Sequence, residues 1–211
     1  MKRSLPWMLA GVVGLWMGCG GPPEEQGQEG APEEQEGLIS QTILRQLPDG
    51  TVTQETRYIT PEERQAQFDA REEYARRLRS GMPQQMMESL VIDDGCAGSS
   101  LWLFDQPNRL GRQLCLYKNP VDTYAFINLG SIIRYIVPGS PLPRIYTWTA
   151  AVRSLWSGVD AGNLATCDTT RMACYSNAPY LAFGTYQQLN DLSFPQLPGT
   201  PTGPNTVFLE N

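Results

Sequence analysis

Residues 20–37 read GGPPEEQGQEGAPEEQEG, and no side chain in that run is able to fill a core. Glycine, proline, glutamate and glutamine cannot bury enough apolar area to offset the entropy lost on ordering. The segment is therefore expected to be a flexible acidic tether, and whatever folds in this 211-residue chain begins near residue 38. The length suits one domain, or two small ones at most. A hydrophobic share of 41% is compatible with a core. The chain has no histidine, which excludes Ser-His-Asp and Cys-His catalysis as well as His-ligated metal sites.

Ahead of the tether, Met1-Lys2-Arg3 is basic and Leu5 to Met17 is uncharged. That apolar run is shorter than the ~20 residues a membrane-spanning helix needs and has the length of a signal-peptide core. Gly18-Cys19 follows directly, with Trp16 where leucine is usual and Leu15 one place earlier. This junction resembles the lipobox of bacterial lipoproteins, and the resemblance implies cleavage before Cys19 and lipid on its thiol and new amino terminus. Gly20, rather than aspartate, follows the cysteine. In the enterobacterial version of the family that implies export to the outer membrane, and hence a cell-envelope protein held to the membrane through Cys19.

With Lys2 and Arg3 set aside, 14 cations face 22 acids, and six of those acids lie in the tether. Residues 38–211 are left with 16 acids against 14 cations, all of the latter arginine except Lys118. A nearly neutral domain without clustered cations is a poor partner for nucleic acid or for an anionic membrane surface, and neither is expected to hold it by charge.

Four cysteines remain: Cys96, Cys115, Cys167 and Cys174. In an exported chain an even remainder reads as two disulfides, for which three pairings exist. Cys96–Cys115 and Cys167–Cys174 are favoured, because each pair brackets a short hairpin-like segment. Zinc is the competing reading, but there is no CxxC spacing and no histidine. The sequence implies no metal and no cofactor.

Residues 38–59 suggest a hairpin turning at Pro48-Asp49-Gly50. Thr60-Pro61-Glu62-Glu63 then opens a helix with a capping box and proline in the first helical position. It is expected to end near Ser80, before Gly81 and Pro83, with Glu72–Arg76 and Glu73–Arg77 paired along its surface. Its apolar stripe is thin, comprising Phe68, Ala75 and Leu78 with Tyr74 beside it. Met82, Met86 and Met87 are read as joint packing.

Residues 93–190 hold 13 of the 20 aromatics and many short strand-like runs broken by Gly, Pro, Asn and Asp. Strands are expected at 99–104, 112–118, 124–128, 131–137, 144–148, 151–156 and 181–187, in a small antiparallel sandwich or barrel. The stretch Leu103-Phe104-Asp105-Gln106-Pro107-Asn108-Arg109-Leu110-Gly111-Arg112-Gln113-Leu114-Cys115-Leu116-Tyr117 resembles the opening of a βγ-crystallin-like Greek key motif. In that family an aromatic strand residue, here Phe104, starts a folded-over hairpin closed by a glycine, here Gly111. Ala151-Val152-Arg153-Ser154-Leu155-Trp156 resembles the later strand, and the resemblance implies that Ser154 bonds back to the hairpin. Arg109 stands at the family's usual second aromatic position. The family's calcium pattern, counted back from Ser154, falls on Thr149-Ala150-Ala151-Val152-Arg153, which offers no acid or amide. The disulfide-bearing secreted version of the fold also resembles small bacterial metalloproteinase inhibitors.

Pro195, Pro198, Pro201 and Pro204 are three apart, a polyproline spacing read as a strap that ends in Val207-Phe208-Leu209. Asp93-Asp94, Asp160 and Asp168 are the carboxylates available for hydrolysis, which needs two ~5–9 Å apart across a cleft. Trp102, Trp148 and Trp156 are expected in the core rather than in such a cleft. Ser99-Ser100 has no base beside it in sequence.

The fold class expected is mainly β (α+β): a small disulfide-stapled antiparallel Greek key β-sandwich preceded by a hairpin and one charged helix. Its divisions are a signal peptide at 1–18, the lipidated cysteine and tether at 19–37, hairpin and helix at 38–92, the β domain at 93–190 and a Pro-rich tail at 191–211. The function expected is that of a lipid-anchored, non-enzymatic binding or structural module with a protein or glycan partner in the envelope. The alternatives are a secreted peptidase inhibitor, presenting residues 138–145 or 157–166 as a rigid loop, and a hydrolase or lipid-borne toxin.

Overall fold

Leu101-Trp102-Leu103-Phe104 sends its leucines to one side and its aromatics to the other, and that alternation sets the architecture. A computed structural model describes residues 37–47, 49, 51–81, 95–119, 121–170, 173–174, 180–194 and 203–210, all within the unit Glu34–Asn211. The protein is mainly β with antiparallel pairing predominant, and the described residues include one α-helix and two disulfides.

The strands are β1 (Ile39–Gln46), β2 (Val52–Ile59), β3 (Leu101–Phe104), β4 (Gln113–Tyr117), β5 (Tyr124–Asn128), β6 (Ile133–Val137), β7 (Arg144–Thr147), β8 (Ser154–Ser157) and β9 (Ala161–Ala165). They continue with β10 (Cys167–Asp168), β11 (Ala173–Cys174), β12 (Tyr180–Phe183), β13 (Gln188–Leu189) and β14 (Thr206–Glu210). Helix α1 spans Pro61–Arg79. One sheet has the order β13-β8-β3-β4-β1-β2 and the other β12-β9-β14-β5.

Leu101, Leu103, Leu114, Leu116 and Leu155 of the first sheet meet Ala125, Leu164, Phe183, Val207 and Leu209 of the second in the main core. Trp102, Phe104, Cys115 and Trp156 form a second cluster on the first sheet's other face, against Phe68 of α1. Being covered on both sides is why β3, β4 and β8 read as nearly continuous apolar runs.

The strand order repeats a Greek key. In the first unit β4, β3 and β8 lie side by side while β5 crosses to the other sheet. The second unit has the same plan: β12, β9 and β14 are adjacent, and β13 crosses to lie beside β8. Each unit lends its third strand to the other's sheet, so neither sheet is complete without both halves.

Three features extend what periodicity alone indicates. The N-terminal hairpin is part of the first sheet, with β1 parallel to β4 from Gln41↔Gln113 to Arg45↔Tyr117. Residues 206–210 form β14, which is paired on both sides, with β9 and β5, rather than ending a surface strap. The expected strands at 151–156 and 181–187 run instead at 154–157 and 180–183. Met82, Met86 and Met87 and the four prolines at 195–204 include positions outside the described residues, among them Met82, Met86, Met87, Pro195, Pro198 and Pro201.

Leu209 is fully buried in the main core. Leu209→Ala is expected to cost about 2–5 kcal/mol in urea denaturation, as for other large-to-small core changes. A loss below about 0.5 kcal/mol is what a surface strap would give, and it would contradict the central position of β14.

Candidate functional site

The β3–β4 connection, residues 105–112, folds over the edge of the sandwich and is held by few atoms. Gly111 adopts φ +74, and a Cβ there would fall 2.2 Å from Asp105 Oδ1, so both backbone and space require glycine. The Asp105 carboxylate accepts the Arg112 backbone N–H at 2.8 Å and faces the guanidinium groups of Arg112 and Arg134 at 3.5 and 3.4 Å. Burial pushes the Asp105 carboxyl above its ordinary range, with the Arg112 N–H and Arg134 opposing that shift. Ser154, at the start of β8 and completely buried, clasps the turn: its Oγ accepts from Arg109 N–H at 2.9 Å and donates to the Gln106 carbonyl at 2.7 Å. Phe104 precedes the turn, buried at 6.1 Å from Phe68 and 6.4 Å from Trp102 between ring centroids.

Arg109 has φ +61 and its guanidinium lies 5.2 Å from the Phe68 ring and 5.1 Å from Trp156. A planar cation thus stands over the same aromatic cluster that α1 covers. From the helix, Arg71 enters that cluster with only 1% of its surface exposed. Its Nη1 donates to the carbonyls of Ala97 (3.2 Å) and Ser99 (2.9 Å), and its Nη2 to that of Trp156 (3.0 Å). Its face packs 4.3 Å from the Trp102 ring. Burial pulls the guanidinium down to about 9, which leaves it charged at neutral pH. The arrangement satisfies main-chain carbonyls at the sheet surface and fixes α1 to β3 and β8 together.

A cleft of about 230 Å³ lies beside this seal, lined by Glu72, Arg76, Arg79, Trp156, Tyr186 and Gln188. Burial and the neighbouring Tyr74 push the Tyr186 hydroxyl well above its usual range. Of the expected helix pairs, Glu73–Arg77 forms at 2.7 Å and Glu73 also meets Arg76. The capping box is present, with Glu63 N–H to Thr60 Oγ1 at 3.1 Å and Thr60 N–H to Glu63 Oε2 at 2.8 Å.

Between the third and fourth strands of the first Greek key the chain makes a separate hairpin, β6–β7. Tyr135 and Tyr146 stack at 4.5 Å across its base, and Arg112 and Arg134 lie over Tyr135 at 4.4 and 4.9 Å. Residues 136–145 are all exposed, including Leu142 at 76% and Ile145 at 58%. Residues 157–166, the other loop considered as a presenting surface, are mostly buried and contain β9.

Of the groups that sequence offers for hydrolysis, Asp160, Asp168 and Ser100 each have a structural partner. Asp160 pairs with Lys118 at 3.5 Å, both side chains buried, and Lys118 Nζ also donates to the Asp122 carbonyl. Asp168 accepts from the Thr170 N–H and hydroxyl within its own turn. Ser100 Oγ accepts the Lys118 N–H, and the Ser99 carbonyl receives Arg71. Asp93 and Asp94 lie outside the described residues. Trp102, Trp148 and Trp156 are core residues. The cysteines pair as Cys96–Cys115 and Cys167–Cys174. No helix among the described residues is long and apolar enough to cross a membrane.

No family model, curated protein or solved structure matches this chain.

Ser154→Ala strips a buried donor and a buried acceptor of their shared partner, and is expected to cost about 2–4 kcal/mol by chemical denaturation, near the sum of two such losses. Arg71→Ala removes the guanidinium donors from three carbonyls and leaves a cavity beside the Trp102 ring. A loss of about 3 kcal/mol or more is expected in the same assay. Arg71→Lys should recover only part of that, because one ammonium cannot both stack and span carbonyls on two strands. Full recovery would show that charge alone suffices.

Proposed function

We infer that this protein is a lipid-anchored component of the bacterial cell envelope whose β domain serves as a non-enzymatic binding or structural module. The observation that carries the reading is the cysteine pairing. Two disulfides use four of the five cysteines, and the fifth, Cys19, stands in sequence at a Gly-Cys junction following a basic and then an apolar segment. Disulfides also favour an oxidising compartment outside the cytoplasm. Residues 20–37 then act as the spacer, with a root-mean-square reach of about 20–25 Å for a flexible chain of that length.

The reading of the domain as βγ-crystallin-like draws support from the left-handed Gly111, the Ser154 clasp and the interlocked pair of Greek keys. The non-enzymatic reading is supported by Asp105, Asp160, Ser154 and Arg71, buried polar groups all tied to structural partners.

Intact-mass analysis of the protein purified from its native membrane tests the anchor. The mature chain is expected to begin at Cys19 with acyl chains attached and to gain four hydrogens on reduction of its two disulfides. Cys19→Ala is expected to move the protein out of the lipid-modified fraction, and an unmodified mass for the unaltered chain would refute the anchor.

A further inference from the structure

From Thr123 to Val159 the chain carries no acidic residue, although 22 occur in the whole sequence, while Arg134, Arg144 and Arg153 fall within the run. The β6–β7 hairpin lies in this stretch and turns apolar side chains outward: Ile136 is 37% exposed, Val137 42%, Leu142 76% and Ile145 58%. Pro138, Pro141 and Pro143, also exposed, complete the turn. Scattered exposed aliphatics are ordinary on a protein surface, but several on one projecting turn, without an acid among them, mark an interaction surface.

The hairpin is rooted at a particular end of the domain. Arg134 meets Asp105, and Arg112 lies over Tyr135, so its base rests on the folded connection 105–112. Strand β1 starts at that end as well. It runs parallel to β4 with Gln41 opposite Gln113, which sets Ile39 level with Gly111. The covalent link to the tether and the apolar hairpin therefore belong to the same end of the first sheet.

We propose that the β6–β7 hairpin is a membrane-contact element whose apolar turn enters the interfacial region of a lipid bilayer. This rests on the anchored reading above. A tether of this reach holds the hairpin near the bilayer at high local concentration, so a weak contact suffices. The chemistry is graded as an interface requires. Aliphatic and proline side chains form the turn, exposed Arg144 stands beside them, and stacked Tyr135 and Tyr146 lie behind it. Leu, Ile and Val at the turn also favour lipid over a peptidase or another protein, because protein interfaces are anchored chiefly by Trp, Tyr and Arg.

The test uses the full chain carrying Leu142→Trp, incubated with phosphatidylcholine–phosphatidylglycerol vesicles made with ordinary or brominated acyl chains. Fluorescence of the unaltered chain is subtracted, and the mass of the floated protein is recorded in parallel. If the hairpin enters the interface, brominated lipid reduces the emission added by Trp at 142 by about twofold or more, and Ile145→Glu in the same chain removes most of that quenching. A floating, acylated chain with an unquenched 142 signal overturns the hairpin and leaves the anchor intact. An unquenched but blue-shifted signal also overturns it, in favour of burial against protein, whether a second copy or a peptidase. An unmodified chain that floats and is quenched supports the hairpin and refutes the anchor. A chain that does not float refutes both.

Discussion

Trp102, Phe104 and Trp156 face away from the main core, and a sheet with three such rings on its outer face must be covered. Helix α1 supplies the cover through Phe68, 5.4 Å from Trp102 and 5.8 Å from Trp156, and completes it with Arg71. A leucine at 71 would fill apolar space but take away the N–H groups that Arg71 donates to the carbonyls of Ala97, Ser99 and Trp156. A guanidinium does both jobs, since its faces are weakly hydrated and lie on rings while its edges donate. The cost of burying the charge is visible in the lowered affinity of Arg71 for its proton. The cluster also contains Cys96 and Cys115, and the Trp102 indole donates to the Cys96 carbonyl at 2.5 Å. Disulfide, helix and sheet are therefore fastened at one place.

The sandwich beneath that cover is interlocked. Strand β5 of the first Greek key completes the second sheet, and β13 of the second completes the first. Strand β14 lies between β9 and β5, so the second sheet forms only when residues 206–210 are in place. Long-range pairing of this kind is slow to assemble but leaves a cooperative body. Such a body tolerates an insertion where the ends of the inserted segment are already fixed. The β6–β7 hairpin is one: it leaves after β5 and returns at Ser154, whose position is set by its two bonds to the folded connection.

Much of this was legible wherever a local rule acts through neighbours in sequence. Thr60, Pro61 and Glu63 announce the start of α1 because capping is a contact within one turn. Leu101–Phe104 and Gln113–Tyr117 stand out because burial on both faces demands apolar residues throughout. Strand β9, Ala-Gly-Asn-Leu-Ala, gave no such signal: Gly162 is there because a Cβ would strike the Phe208 carbonyl oxygen at 2.1 Å, a constraint from a strand far along the chain. Arg71 escaped for a similar reason. It lies three residues after Phe68 and four before Ala75, on the buried stripe, but arginine counts as polar until two tryptophan faces and three carbonyls surround it. Arg109 lays its flat guanidinium against Phe68 and Trp156 at the edge of the same cluster, a contact that only the folded chain brings together.

The buried polar groups among the described residues serve the fold. A catalytic group must keep a lone pair or proton available to a substrate, whereas Asp105 is committed to Arg112 and Arg134, and Asp160 to Lys118. Ser154 uses its one proton on Gln106. These bonds stabilise turns that would otherwise be open, and the reactivity of the groups is spent in doing so. Exposed apolar side chains of a different kind stand on the β6–β7 turn, namely Ile136, Val137, Leu142 and Ile145. Recognition by such groups depends on shape and apolar area rather than on a bond-making atom. The interlocked sheets hold the buried groups, and the β6–β7 hairpin carries exposed aliphatics outside them.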